Sequence, residues 1–171
     1  MEAIARSGRA RSIGVSNFLR EHLETVLQTA TIPPAVNQIE FHPYLQHVVA
    51  GEQQQEEQDL VAYCKDKGIA VVAYSPLTAI TKCRGGPVDA VYADLAAKYG
   101  VGEAEVALRW CLDQGVVVLT TSGSEERLRG YLRKLPGFKL TPKEVERVSE
   151  AGRRRHFRQY WGNKFGEEDR R

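Results

Sequence analysis

Short β-branched runs alternate with amphipathic stretches along this chain, and such alternation is the signature of βα units packed around a parallel sheet. Four units are predicted. The first has a strand over 12–15 and a helix carrying Leu19, Leu23, Val26, Leu27 and Ala30 on one face, broken at 31–34 by Thr-Ile-Pro-Pro. The second strand, 35–41, reads A-V-N-Q-I-E-F. Its Asn37, Gln38 and Glu40 interrupt the apolar pattern that a fully buried parallel strand would show. A helix through Leu60, Val61 and Cys64 ends near Gly68, and a third strand follows over 69–74, stopped by Ser75-Pro76. Two helices come next, one marked by Val88, Val91, Tyr92, Leu95, Ala96 and Tyr99, the other by Ala104, Ala107, Leu108 and Cys111. The fourth strand is 116–119, and its helix carries Arg127, Leu128, Tyr131 and Leu132. Thr141-Pro142-Lys143-Glu144 spells a capping box with proline in the first turn, and the helix it opens ends at Gly152.

At 171 residues the chain suits one compact domain, and no linker divides it. A complete (β/α)8 barrel needs about 250 residues. A net charge of +2 and a 42% hydrophobic share fit an ordinary soluble protein, neither a polybasic binder nor a disordered tail. No apolar run approaches the ~20 residues that span a bilayer, and the first residues lack a secretory pattern, so the expectation is a cytoplasmic protein without a membrane partner. Cys64, Cys83 and Cys111 are odd in number and widely spaced, which indicates neither a disulfide framework nor a zinc site. The stretch 50–59, rich in Gln and Glu, reads as a solvated loop leading into the next helix, with part of it inserted.

Four motifs stand where strands give way to helices, the positions at which α/β proteins bind ligands. They are R-S-I-G-V-S-N-F at 11–18, N-Q-I-E-F-H-P-Y at 37–44, V-A-Y-S-P-L at 72–77 and L-T-T-S-G-S-E-E-R-L at 119–128. Ser16 and Asn17, taken alone, read as an N-cap. The 121–127 turn has the physics of an anion site, because a helix start offers free N–H groups and positive dipole, and Arg127 lies one turn in. Unaided, Arg127 reads as a surface residue paired with a nearby Glu. His42 reads as structural, and His22, His47 and His156 as surface residues. The tail R-R-R-H-F-R-Q-Y-W at 153–161 interleaves cations and aromatics, yet the nearly neutral remainder speaks against nucleic acid as a partner.

These motifs, in this order from about residue 6 to residue 161, resemble the aldo-keto reductases, (β/α)8 barrel enzymes that transfer hydride between a nicotinamide cofactor and a small carbonyl. The resemblance implies an α/β chain forming the second half of such a barrel, a single partial domain over 1–171. It places Ser16, Asn17 and Gln38 on the nicotinamide carboxamide, Tyr74 against the nicotinamide ring, and Ser75 and Leu77 beside the pyrophosphate. Thr121, Ser122, Ser124 and Arg127 fall at the adenosine phosphate. Thr121 replaces the lysine usual there and Tyr131 an asparagine that often meets adenine, so NADPH is the expected cofactor with NADH as an alternative. Tyr160 and Trp161 match a segment that shapes substrate choice. The family's Asp, Tyr, Lys and His tetrad belongs to earlier strands and has no counterpart here, so no catalytic residue is assigned. Two other readings accompany the reductase: a non-catalytic nucleotide-binding protein, and a structural half-barrel that self-associates through open sheet edges.

Overall fold

The computed structural model describes residues 1–50, 57–166 and 169–171, and it realises the predicted α/β alternation. The elements run α1 (Glu2–Arg6), β1 (Val15–Ser16), α2 (Arg20–Thr29), β2 (Val36–Glu40), β3 (Val48–Ala50), β4 (Glu57–Asp59), α3 (Leu60–Asp66) and β5 (Ala70–Tyr74). They continue with α4 (Thr78–Thr81), α5 (Asp89–Tyr99), α6 (Glu103–Asp113), β6 (Val117–Val118), α7 (Glu125–Lys134) and α8 (Pro142–Arg153), with a 3-10 turn at Leu135–Gly137. The main sheet is parallel and four-stranded, ordered β1-β2-β5-β6. By its contacts the chain divides into two compact units, one of Met1–Ile39 and His47–Val72 with Arg171, the other of Glu40–Gln46 and Ala73–Arg170. The division passes through β2 and β5.

In the first unit, Ile13, Leu23, Ile39, Leu60, Cys64, Ile69 and Val71 are buried. Glu2 ties α1 to the turn before β2. Its carboxylate accepts the N–H groups of Thr31 at 2.8 Å and Ile32 at 3.0 Å and the Thr31 hydroxyl at 2.6 Å, with Arg6 beside it. Gly14 admits no side chain, since a Cβ there would lie 2.8 Å from the Val36 carbonyl oxygen. Gly68 takes a positive φ of 69° just past α3, the left-handed stop that a Cβ would strain.

In the second unit, Phe41 stacks on Trp110 at 5.0 Å between ring centroids and 11° between planes. The indole N–H donates to the Val145 carbonyl at 3.2 Å and the Ser149 hydroxyl at 3.1 Å, which fixes α8 against α6. Around them Tyr44, Val88, Tyr92, Val106, Leu108 and Val148 are buried. The capping box forms as expected: the Thr141 hydroxyl accepts from the Glu144 N–H and Glu144 reaches back to the Thr141 N–H. Gly152 sits where a Cβ would come 2.1 Å from the Pro43 carbonyl oxygen, so α8 approaches the H-P-Y turn as closely as a helix can.

Several expectations need correction. The regular first strand is Val15–Ser16 rather than 12–15, and the regular fourth is Val117–Val118 rather than 116–119, although the Ile13 carbonyl still accepts the Ala35 N–H at 2.8 Å and the Leu119 N–H still reaches the Ala73 carbonyl at 2.9 Å. The 50–59 stretch is not simply a loop: Val48–Ala50 and Glu57–Asp59 pair as an antiparallel ribbon, while 51–56 lie outside the described residues. His47 is buried rather than exposed, with a positive φ of 55°, and His156 is half-buried. Helix α8 runs one residue past Gly152. All three cysteines are free and buried.

Candidate functional site

Strand β1 does not run into a helix at Ser16 and Asn17. Helix α2 starts at Arg20 with Leu19 in the cap position, and the Leu19 N–H is taken by His22 Nδ1 at 3.1 Å. The polar pair is therefore released from capping and turns to β2 instead. The Gln38 carbonyl accepts both the Ser16 hydroxyl and the Asn17 N–H, each at 2.9 Å, and Asn17 Nδ2 donates to Ser16 Oγ at 3.1 Å. Asn17 has φ +57°, a left-handed conformation that asparagine tolerates better than most residues. In the parallel register Val15 faces Asn37 and Ser16 faces Gln38. Buried Asn37 holds the turn from below through the Phe18 main chain. Ser16 is exposed, and Asn17 and Gln38 are half-buried. A hydroxyl and two side-chain amides offer both donors and acceptors, the complement of a primary carboxamide.

In the second unit Tyr74 closes β5. Its half-buried ring meets Tyr160 edge-on at 5.8 Å, and burial, followed by the Glu40 charge, raises the pKa of its hydroxyl. Ser75 next to it has φ +54°, and its carbonyl accepts the Thr78 N–H at 3.1 Å and hydroxyl at 2.9 Å, turning the chain into α4 with Leu77 at the cap position.

Beyond β6 the chain reaches exposed Thr121, and the Ser122 hydroxyl accepts the Ser124 N–H at 3.0 Å. Ser124 Oγ accepts the Arg127 N–H at 3.2 Å and so caps α7, which leaves the other N–H groups of the helix start directed outward. The Glu pairing expected of Arg127 goes to Arg129, which meets Glu125 at 2.7 Å; among the described residues no carboxylate pairs with Arg127, and its side chain is exposed. Tyr131, by contrast, is buried at 6% exposure, so its ring belongs to the core rather than to a surface that adenine would meet.

The tail places Tyr160 and Trp161 at the surface, 46% and 49% exposed. Three of its four arginines are held by the chain itself. Arg155 donates to the Cys83 carbonyl at 3.1 Å and lies over the Tyr44 ring, Arg158 lies 4.0 Å from the Phe165 ring centroid, and Arg153 pairs with Glu146. Two residues that interrupt the apolar pattern of the second strand are bonded within the chain: Asn37 to the Phe18 main chain, and Glu40, whose carboxylate meets His42 Nε2 at 3.0 Å. The signal for the second was present, because residues two apart on a strand share a face. No group of three or more potential metal ligands occurs among the described residues, and none of their helices is long and apolar enough to cross a membrane.

The chain is thus an α/β protein with polar side chains at the ends of parallel strands. It belongs to the aldo/keto reductase family, whose profile matches residues 1–153. It is 36% identical to an NADPH-dependent alpha-keto amide reductase of Saccharomyces cerevisiae, over 97% of this chain and 52% of that protein. It is 34% identical to an NAD/NADP-dependent indole-3-acetaldehyde reductase of Schizosaccharomyces pombe, over 94% of this chain and 53% of that one. The crystal structure of a Bombyx mori aldo-keto reductase in complex with NADP superposes with a TM-score of 0.73 at 30% identity, covering 88% of this chain and 48% of that enzyme. The chain spans about half the length of these relatives.

Proposed function

We propose that this chain supplies the nicotinamide-nucleotide-binding side of an NAD(P)H-dependent carbonyl reductase. The observation that carries the reading is the Ser16–Asn17 turn: the Ser16 hydroxyl and the Asn17 N–H are fastened to the Gln38 carbonyl and the Asn17 side chain to Ser16 Oγ, all withdrawn from helix capping, a costly local arrangement unless the polar edge it creates is used. Relatives named for NADPH or NAD/NADP dependence support it.

The residues fit such a cofactor. Ser16, Asn17 and the Gln38 side chain would hold a carboxamide and fix the rotation of the ring bearing it, since transfer requires the donor carbon at near-attack distance and angle. The Tyr74 ring offers a rigid aromatic face at small entropic cost. Ser75 and Leu77 would lie beside the pyrophosphate. Thr121, Ser122, Ser124 and the start of α7 would receive the adenosine phosphate, and Arg127, a planar guanidinium with no carboxylate partner among the described residues, would pair with a 2'-phosphate. Tyr160 and Trp161 would touch the carbonyl substrate. When bound, the cofactor supplies hydride to the carbonyl carbon. We assign this chain binding and orientation and place no proton-transfer role on any of its residues.

The test is a titration of the folded chain with NADPH and with NADH, followed by nicotinamide fluorescence, with circular dichroism as the check on folding. Saturable binding that weakens in the Ser16→Ala, Asn17→Ala double variant is the expected result. A folded chain with no nucleotide affinity would overturn the reading.

A further inference from the structure

Glu40 and His42 are fully buried, and nothing in the cofactor reading uses them. Besides His42 Nε2, the Glu40 carboxylate accepts two main-chain donors from the tail: the Gln159 N–H on Oε1 at 2.8 Å and the Tyr160 N–H on Oε2 at 3.0 Å. Burial pushes the Glu40 pKa up, but the His42 bond and the two backbone N–H groups outweigh it, and the net shift is downward, toward the charged form. Burial also lowers the His42 pKa, so the ring is neutral and donates from Nε2. Among the described residues its Nδ1 has no partner.

A buried carboxylate without donors is strongly disfavoured, so the acid and the tail main chain depend on each other. Around this pair the tail is fastened at further points. The Phe157 N–H donates to the Tyr44 carbonyl at 3.2 Å, and the Thr78 hydroxyl donates to the Gln159 side-chain oxygen at 3.2 Å. Among the described residues, the large apolar side chains this strap exposes are Tyr160, edge-on to Tyr74, and Trp161.

We propose that Glu40 is the positioning residue of the tail strap: its carboxylate fixes the Gln159–Tyr160 main chain and so sets the Tyr160 ring against Tyr74. The part of this inference that gives Tyr74 a ligand and Tyr160 and Trp161 a carbonyl substrate rests on the cofactor reading above; the latch itself does not. Its function is to present Tyr160 and Trp161 to a carbonyl substrate in one arrangement, although neither side chain is buried enough to be fixed by its own packing.

Amide hydrogen exchange on the full chain tests it without nucleotide. In the unmodified protein the Gln159 and Tyr160 amides, corrected for intrinsic rates, should exchange at least tenfold more slowly than the Gly162 amide; equal rates would overturn the latch whatever any variant does. In Glu40→Gln, which keeps the shape but replaces one accepting oxygen with an NH2 that cannot accept, exchange at 159, at 160 or at both should rise at least tenfold while α6 and α8 amides hold their rates. The Tyr74 ring resonances, which carry the ring current of Tyr160, should move toward those of Tyr160→Ala. Unchanged exchange at 159 and 160 in a folded Glu40→Gln protein would overturn the proposal. A chain that shows the latch but binds no NADPH would overturn the cofactor reading alone.

Discussion

Asn37 grips Phe18 from both sides: its Nδ2 donates to the Phe18 carbonyl at 2.9 Å and its Oδ1 accepts the Phe18 N–H at 3.3 Å. One buried side chain in β2 thereby replaces the ladder that β1 gives up when it leaves the sheet, and it holds the left-handed Asn17 in place. Removing it leaves two main-chain groups without partners. Asn37→Ala is expected to destabilise the chain by about 1–3 kcal/mol and to weaken NADPH binding along with it. Urea unfolding and the fluorescence titration measure the two effects separately.

Arg127 bears on the choice between cofactors. Only NADPH carries a 2'-phosphate, so Arg127→Ala should raise its Kd about tenfold, roughly the 1.4 kcal/mol of one charge-assisted contact, and leave NADH within about twofold. Parallel titrations with the two nucleotides decide the matter. Equal weakening of both would place Arg127 elsewhere.

Gly152 and Gly137 form a matched pair. A Cβ at Gly152 meets the Pro43 carbonyl oxygen at 2.1 Å, and backbone cannot swing aside, whereas one at Gly137 meets nothing within 4 Å. Gly152→Ala should cost about 1–3 kcal/mol or more, as overpacking does, and Gly137→Ala should be nearly neutral. Thermal melts of the two variants against the unmodified chain give the comparison.

Acid sensitivity follows from two carboxylates. Hydrogen bonds from the Thr31 side chain and the Ile32 N–H, with others, hold Glu2 at about 2. Burial opposes ionisation of Glu144, but Lys98, the Thr141 N–H and Tyr99 outweigh it, again to about 2. Both values lie below the ordinary 4.5, so the unfolded chain takes up protons first as pH falls. Their stabilisation is complete above pH 4.5 and is lost between there and about pH 2. Glu144→Gln should be less stable at neutral pH and show a shallower loss over that window in denaturant midpoints.

The βα alternation, the capping box at Thr141 and the stop at Gly68 were legible because each is written within a few neighbouring residues. The short β1 was not: its boundaries depend on where Asn37 releases the chain, and that residue lies beyond the next helix. Ser16 and Asn17 read locally as a cap, and only the position of Leu19 and His22 shows that the cap is elsewhere. Glu40 looked like a blemish in an apolar strand because two of its donors come from residues 159 and 160. Arg127 and Arg129 both lie near Glu125 in the sequence, and the fold gives it to Arg129. Local grammar fixes elements; polar residues that serve distant main chain read as errors until the partner is known.

The bond from Glu40 to the Tyr160 N–H spans 120 residues of sequence. During synthesis, strand β2 emerges long before the groups that satisfy its acid, and those contacts close a long loop in the second unit's hydrogen-bonded framework. Until residue 160 has left the ribosome, the nascent chain must keep that part of the unit open to water or hold Glu40 protonated. Final consolidation of this unit is therefore an event that follows translation of the strap and cannot accompany the growth of the sheet.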